Sequence, residues 1–316
     1  GFENEIITVI FVPIDDDEDD QYKNQKYRRL FSSLNRYAKP TGTTIDIILD
    51  DDDIFAILTR RLIEEHPFFT AIENETINFV AIKKGKAMGK SDSSFTNIQA
   101  FYDFIKDIFY NVMRHELDED ANIKEQLKEY IQLRPDEDKI DDYFNKISTI
   151  WDAIILTFPE FKEENCGDSR NFNLEDKSNL LFTPIGLKLL GELIKVRTKN
   201  IDFNQEEITE QLIYNKIKIL NKIPWKLRKT PWLGLVVRKK YDQRRDTYNW
   251  IITDDRRVDV MQLVKETCYY LMGEDWNDTE KNEYKKKWDD LLHKDSTSEN
   301  VDQIFEKLDE LRANIS

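Results

Sequence analysis

Between positions 98 and 315, apolar residues keep returning at intervals of three and four, and the chain holds only 9 Gly and 8 Pro in 316 residues. Side chains three and four apart share one face of a helix, so this period with so few breakers predicts helices buried along one stripe. Ile98, Phe101, Tyr102, Ile105, Ile108, Phe109 and Val112 follow the pattern without a miss. A second long helix is predicted over Ile140 to Phe158, through Phe144, Ile147, Trp151, Ile154 and Ile155. Thr183-Pro184, a cap followed by a first-turn proline, opens another that runs to about Val196. A further helix fits about Gln205 to Leu220, and three more finish the chain at about Val258 to Met272, Thr279 to Leu292 and Glu299 to Ala313. The last carries Val301, Ile304, Leu308, Leu311 and Ile315, barely two heptads, which favours packing on its own chain over a dimer zipper. A polar, Asn-rich loop separates Cys166 from Leu180.

The first ninety residues read differently. Ile6 to Val12 is a continuous apolar, β-branched run suited to a buried strand. Six acids follow, Asp15 to Asp20 (DDDEDD), as a solvated loop. A helix fits Tyr22 to Tyr37 and is closed by Lys39-Pro40-Thr41-Gly42. Ile45 to Leu49 reads as a short strand closed by Asp50 to Asp53, Ile54 to Ile63 as a helix, and Thr76 to Ile82 as a further strand. The chain starts at Gly1, not Met, and goes almost at once into the first strand-like run, so natural sequence upstream is expected to be missing.

Composition removes several classes of protein. Two cysteines, Cys166 and Cys268, make neither a disulfide framework nor a zinc knuckle, and the three scattered histidines add no ligand set, so no metal is expected. No apolar run approaches the roughly 20 residues needed to cross a bilayer. There is no basic and apolar leader at the start. The expectation is a soluble, cytoplasmic protein without a membrane partner.

The net charge of −15 argues against indiscriminate binding to polyanions, but the charge is uneven. Lys216 to Arg245 holds eleven basic residues and one acid, Asp242, a local net of +10. Within it Lys226, Arg228, Lys229, Arg238, Lys239, Lys240, Arg244 and Arg245 are interleaved with Trp225, Trp232, Tyr241 and Tyr248. Leu235 to Val237 and Tyr248 to Ile252 read as the arms of a hairpin, with Lys239 to Asp246 at its tip. A basic tip suits backbone phosphates, while the tryptophans suit anchorage to the helices. The plain alternative is an ordinary solvated hairpin.

Two other segments carry less. Lys83 to Ser91 (KKGKAMGKS) approaches the phosphate-binding form GxxxxGK[ST], but three residues, not four, separate Gly85 from Gly89. A basic surface loop touching phosphate is the better reading. Asp50 to Asp53 suits either a cation or a helix N-terminus, with Asp52 or Asp53 capping the helix that starts at Ile54. No nucleophile, base and orienting acid assemble into a motif, so no catalytic residue is assigned. His66, before Pro67, is read as a helix end, and so is His115.

The run Gln25 to Pro40 (QKYRRLFSSLNRYAKP), then Ile45 to Asp53 (IDIILDDDD), then Leu58 to Glu64 (LTRRLIE) resembles the DGQHR-domain proteins. Within those it is similar to the DndB type, associated with DNA phosphorothioate modification. Phe95-Thr96-Asn97-Ile98, Ile223-Pro224-Trp225 and Pro231-Trp232-Leu233-Gly234 are similar to further conserved points of that family. The D-G-Q-H-R signature itself is absent, and the resemblance places it just upstream of a strand like Ile6 to Val12. The family resembles the ParB and sulfiredoxin fold, whose signature region is implicated in nucleotide or phosphate binding. The resemblance therefore implies that Asn35, Lys39 and Arg60 are what remains of a nucleotide or phosphate site, with Lys86 and Lys90 of the basic loop added to that set; the plain alternatives are a helix C-terminus for Asn35 and Lys39 and a solvent-exposed helix face for Arg60. No cofactor is expected for this chain; an NTP with magnesium would need the missing signature.

The expected fold is α+β, a truncated ParB-like α/β unit over 1–93 followed by a predominantly helical domain over 94–316, with a basic β-hairpin near 233–253. The expected function is a DNA-binding accessory protein or transcriptional regulator of a bacterial, defence-associated DNA-modification cluster. Its partners would be double-stranded DNA, other proteins of that cluster and a second copy of itself. An NTPase or ParB-like nuclease is the alternative, and a protein-interaction scaffold the third reading.

Overall fold

The computed structural model describes residues 27, 30, 43–70, 79–83, 85, 87–114, 116–117, 125–126, 130–131, 133–162, 166–171, 174, 176–204, 207–242, 244, 246–253, 257–273, 275–294 and 300–315. The strand expected over Ile6 to Val12, the acidic run Asp15 to Asp20 and His115 lie outside these residues, as does most of the helix expected over Tyr22 to Tyr37. The fold is α+β and mostly helical. Among the described residues there are two small sheets, a parallel pair and an antiparallel pair.

The first described helix is α1 (Thr43–Leu49), where a strand was expected. The short apolar run Ile45, Ile47, Ile48 and Leu49 suits either structure, and the surroundings decide. Ile47 is buried, and Arg60 donates through Nη1 to the carbonyls of Ile47 (2.7 Å) and Asp50 (2.8 Å), closing the helix end. Next comes α2 (Ile54–Glu65), capped by Asp53, whose Oδ1 accepts from Phe55 N at 2.9 Å and Ala56 N at 3.3 Å. The Asp53 cap is the helix-terminal role read from the sequence. His66 ends α2 and is buried; its Nδ1 accepts from Phe68 N, and its Nε2 lies 3.3 Å from Asp152 Oδ1. The short helix α3 (Pro67–Thr70) follows.

Strand β1 (Val80–Ala81) pairs in parallel with β2 (Thr96–Asn97), which leads directly into α4 (Ile98–Ile108). Asn97 caps α4 by accepting from Ala100 N, and Phe109 breaks it before α5 (Tyr110–Arg114). The long helix α6 (Glu137–Thr157) matches its predicted span to within three residues. Trp151 of α6 is fully buried among Phe68, Phe69, Phe95, Phe101, Phe104 and Phe161, an aromatic centre that fixes α4 and α6 together.

After the single turn α7 (Cys166–Ser169), α8 (Pro184–Arg197) starts at the predicted Thr183 cap and packs along α4. A Cβ at Gly191 would stand 3.0 Å from Asp107 Cβ and 3.1 Å from Phe104, so glycine sets how closely these helices approach. Helix α9 (Glu210–Ile217) packs on α6 and tightens into a 3-10 turn over Lys218–Lys222. It begins five residues later than predicted, because Thr209 takes the cap by accepting from Leu212 N. The hairpin β3 (Val237–Asp242) and β4 (Thr247–Ile252) is followed by α10 (Val258–Leu271), α11 (Asp278–Lys294) and α12 (Val301–Ile315). Ile304, Leu308 and Ile315 of α12 are buried, and the helix packs on α10 and α11. The apolar core is one cluster from Ile47 to Ile315, so the described residues before 94 pack on the helices after it.

Candidate nucleic-acid interface

The basic segment is built on its tryptophans. Trp225 and Trp232 are buried and stack with ring centroids 5.8 Å apart. Trp225 Nε1 donates to the Leu220 carbonyl at 3.0 Å, Trp232 Nε1 donates to the Pro224 carbonyl, and the Trp225 carbonyl accepts from Leu180 N at 2.7 Å. The two indoles thus tie 220–232 to the helical body, as their spacing among the cations suggested. Beyond them the Trp232 carbonyl accepts from Val236 N and Val237 N, and Gly234, at φ +88°, turns the chain so that its N–H meets the Val237 carbonyl.

The first hairpin arm starts at Val237, since Leu235 and Val236 belong to that turn. The ladder then continues to Asp242 opposite Thr247. Lys239 and Lys240 therefore lie within β3, opposite Trp250 and Asn249, and not in the tip as expected. A row of cations does not stop a backbone ladder, which runs as far as the pair Asp242–Thr247; just before Thr247, Asp246 stands at φ +49°, which a short polar side chain tolerates.

The structure places the other predicted phosphate contacts along this segment. Lys229 and Arg244 are exposed, while Lys226, Arg228 and Arg238 are half-buried. Lys226 Nζ donates to the Asp176 carbonyl, closing one wall of a cleft of about 340 Å³ that Asp176, Lys177, Asn179, Asn221 and Trp225 also line. The Arg228 guanidinium sits 5.4 Å above the Trp250 ring, so a residue of the tryptophan segment is fixed against β4. Lys222 Nζ donates to the Ile315 carbonyl at 2.7 Å and latches α12 beside the basic segment. Arg245 lies outside the described residues.

Of the second predicted set, Arg60 and Lys90 are among the described residues. Asn35, Lys39 and Lys86 lie outside the described residues. Arg60 pairs with Asp51 at 2.6 Å besides holding the α1 carbonyls. Lys90 sits in an exposed turn. In the loop that approached the phosphate-binding form, Gly89 N (2.6 Å) and Lys83 Nζ (2.9 Å) both meet Asp92 Oδ2. A backbone amide and an ammonium do converge on an anion there, and that anion is the chain's own carboxylate. The Gly89 amide and then Lys83 hold the Asp92 carboxyl below the usual range.

Sequence reading missed what supports this loop from behind. Arg170, in the segment read as an Asn-rich loop, is buried and donates to five main-chain carbonyls: Gly89, Asp92, Ser94, Phe95 and Phe182. Burial lowers its affinity for the proton from the usual guanidinium value. A lone arginine among polar residues gives no sign in a sequence of such partners. Also unforeseen, Tyr102 donates to Asp53 Oδ2 at 2.6 Å, and burial raises the Asp53 carboxyl. Across the α4–α8 contact, burial and then the neighbouring Glu192 push Asp107 up to about 7.

Among the described residues no group of side chains is arranged to hold a metal ion, and no helix is long and apolar enough to cross a membrane. A family model described as DndB, DNA-sulfur modification-associated, matches residues 1–268, so α11 and α12 lie beyond the matched stretch. No curated protein and no solved structure matches at a significant level.

Proposed function

The chain belongs to the DndB family of DNA-sulfur modification-associated proteins, and from that membership we propose that it binds duplex DNA as an accessory protein and transcriptional regulator of a bacterial DNA-modification cluster of the phosphorothioation type. The observation that carries the reading is the basic segment 222–244, rooted in the core by Trp225 and Trp232 on a protein whose net charge is −15. Phosphates repelled by the body are drawn to this one surface, and Lys229, Arg244 and the cationic positions of β3 neutralise them. The proteins that modify DNA in the same cluster are its natural partners, and cytoplasmic DNA its target. Self-association would present two such surfaces to a symmetric site.

Fluorescence anisotropy tests this reading, with labelled duplexes from upstream of its own operon and of scrambled sequence across a salt series. The expected result is tighter binding to the operon duplex, falling steeply with salt. A variant with Arg238, Lys239, Lys240, Arg244 and Arg245 changed to Ala should bind weakly and respond less to salt. No binding by the parent chain at low salt would end this reading.

A further inference from the structure

We infer that the β3–β4 ribbon enters the major groove of the duplex, with the turn at Arg244 leading. This rests on the DNA-binding reading above and specifies how that surface meets its ligand.

Shape comes first. Six residues per strand at about 3.4 Å each give a ribbon about 20 Å long. Among the described residues no third strand pairs with either edge. Burial falls from root to turn: Val236 and Val237 are fully buried, Arg238 is half-buried, and Arg244, Asp246 and Thr247 are exposed. The root is fixed, since Thr253 N donates to the Val236 carbonyl at 2.8 Å and Trp232 is locked in the core. The ribbon is therefore a projection from a rigid base. The major groove of B-form DNA, about 12 Å wide, admits a two-stranded ribbon, whereas the minor groove, about 6 Å wide, does not.

Charge selects the same ligand. Positions 238–245 hold Arg238, Lys239, Lys240, Arg244 and Arg245 against one acid, Asp242. On a strongly acidic chain, a cationic cluster carried on a projection favours entry of that projection into the duplex. Arg228, stacked over Trp250 opposite Lys239, supplies a pre-positioned cation beside the root, where the phosphate wall of an occupied groove would stand. A double-stranded RNA offers only a deep, narrow major groove, so the same ribbon would be excluded from it. The open edges would also suit strand addition by a protein, but so many cations on eight residues oppose an apolar strand and favour a polyanion.

The test uses the full chain and one operon duplex in four forms: bare DNA, DNA loaded with netropsin in the minor groove, DNA loaded with methyl green in the major groove, and RNA of the same sequence. Methyl green and the change to RNA should each weaken binding by about tenfold or more, while netropsin changes it by less than about twofold. Arg244→Ala, with unchanged thermal melting, should bind DNA more weakly and lose part of its sensitivity to methyl green. Equal loss with netropsin, or equal affinity for RNA, would overturn groove entry while leaving DNA binding in place. Unchanged affinity and unchanged methyl green sensitivity in Arg244→Ala would also overturn it, leaving the ribbon edges for a protein strand. No binding to any duplex would overturn both readings together.

Discussion

Arg170 Nη2 donates to the main-chain carbonyl of Asp92 at 2.6 Å, so a residue after α7 holds the glycine loop between β1 and β2 from behind. The same guanidinium serves four other carbonyls. It works as a five-pronged replacement for a strand that neither the loop nor the Leu180–Phe182 turn possesses.

Removing that hub leaves five carbonyls in or near the core without their donor. Arg170→Ala should lower unfolding free energy by about 4 kcal/mol, and Arg170→Lys, with three donors at most, by about 2 kcal/mol. Urea denaturation followed by tryptophan fluorescence checks both. A loss below about 1 kcal/mol in Arg170→Ala would mean that the carbonyls find water at little cost.

Asp107 makes stability depend on pH in an unusual direction for a carboxylate. Its folded value is raised to about 7 by burial and by Glu192 and Asp103, against the opposing pull of Lys195 and Lys188. A raised acid favours the folded state while protonated, so its contribution is full below the unfolded value near 4 and is lost as pH rises through about 7. Asp107→Asn should therefore gain on the order of 2 kcal/mol over the parent at pH 8 and nothing at pH 4. Thermal melting at the two pH values reads the difference.

The Trp232 indole holds the base of the ribbon through the Pro224 carbonyl and the stack on Trp225. Trp232→Phe keeps most of the apolar volume and removes the donor. It should cost about 1–2 kcal/mol in stability and weaken DNA binding more than an equally destabilising change at Tyr284, in the C-terminal helices. Comparing matched variants by melting and anisotropy separates anchorage from general loss of fold.

Each phosphate contact releases condensed counterions, so the salt dependence counts the contacts. Single changes of Lys229 or Arg244 to Ala should each reduce the slope of log affinity against log salt by about 0.9. Arg60→Ala, which breaks the pair with Asp51, should lower stability without changing that slope. A reduced slope in Arg60→Ala would place phosphate there as well.

The helices were legible because burial on one face leaves a period that survives in sequence, and because caps such as Asp53 and Thr183 act within three residues of themselves. The cation cluster and its two tryptophans were legible for the same local reason. What sequence could not carry was the choice between conformations of equal local merit, or any partner far along the chain. Ile45 to Leu49 became a helix because Arg60 closes its end, the lysines of 239–240 became strand because the ladder outlasts them, and Arg170 found its carbonyls 12 to 81 residues away. Periodicity and capping are short-range physics and are written in the sequence. Desolvation and distant hydrogen bonds depend on what the fold brings together, and only the tertiary structure decides them.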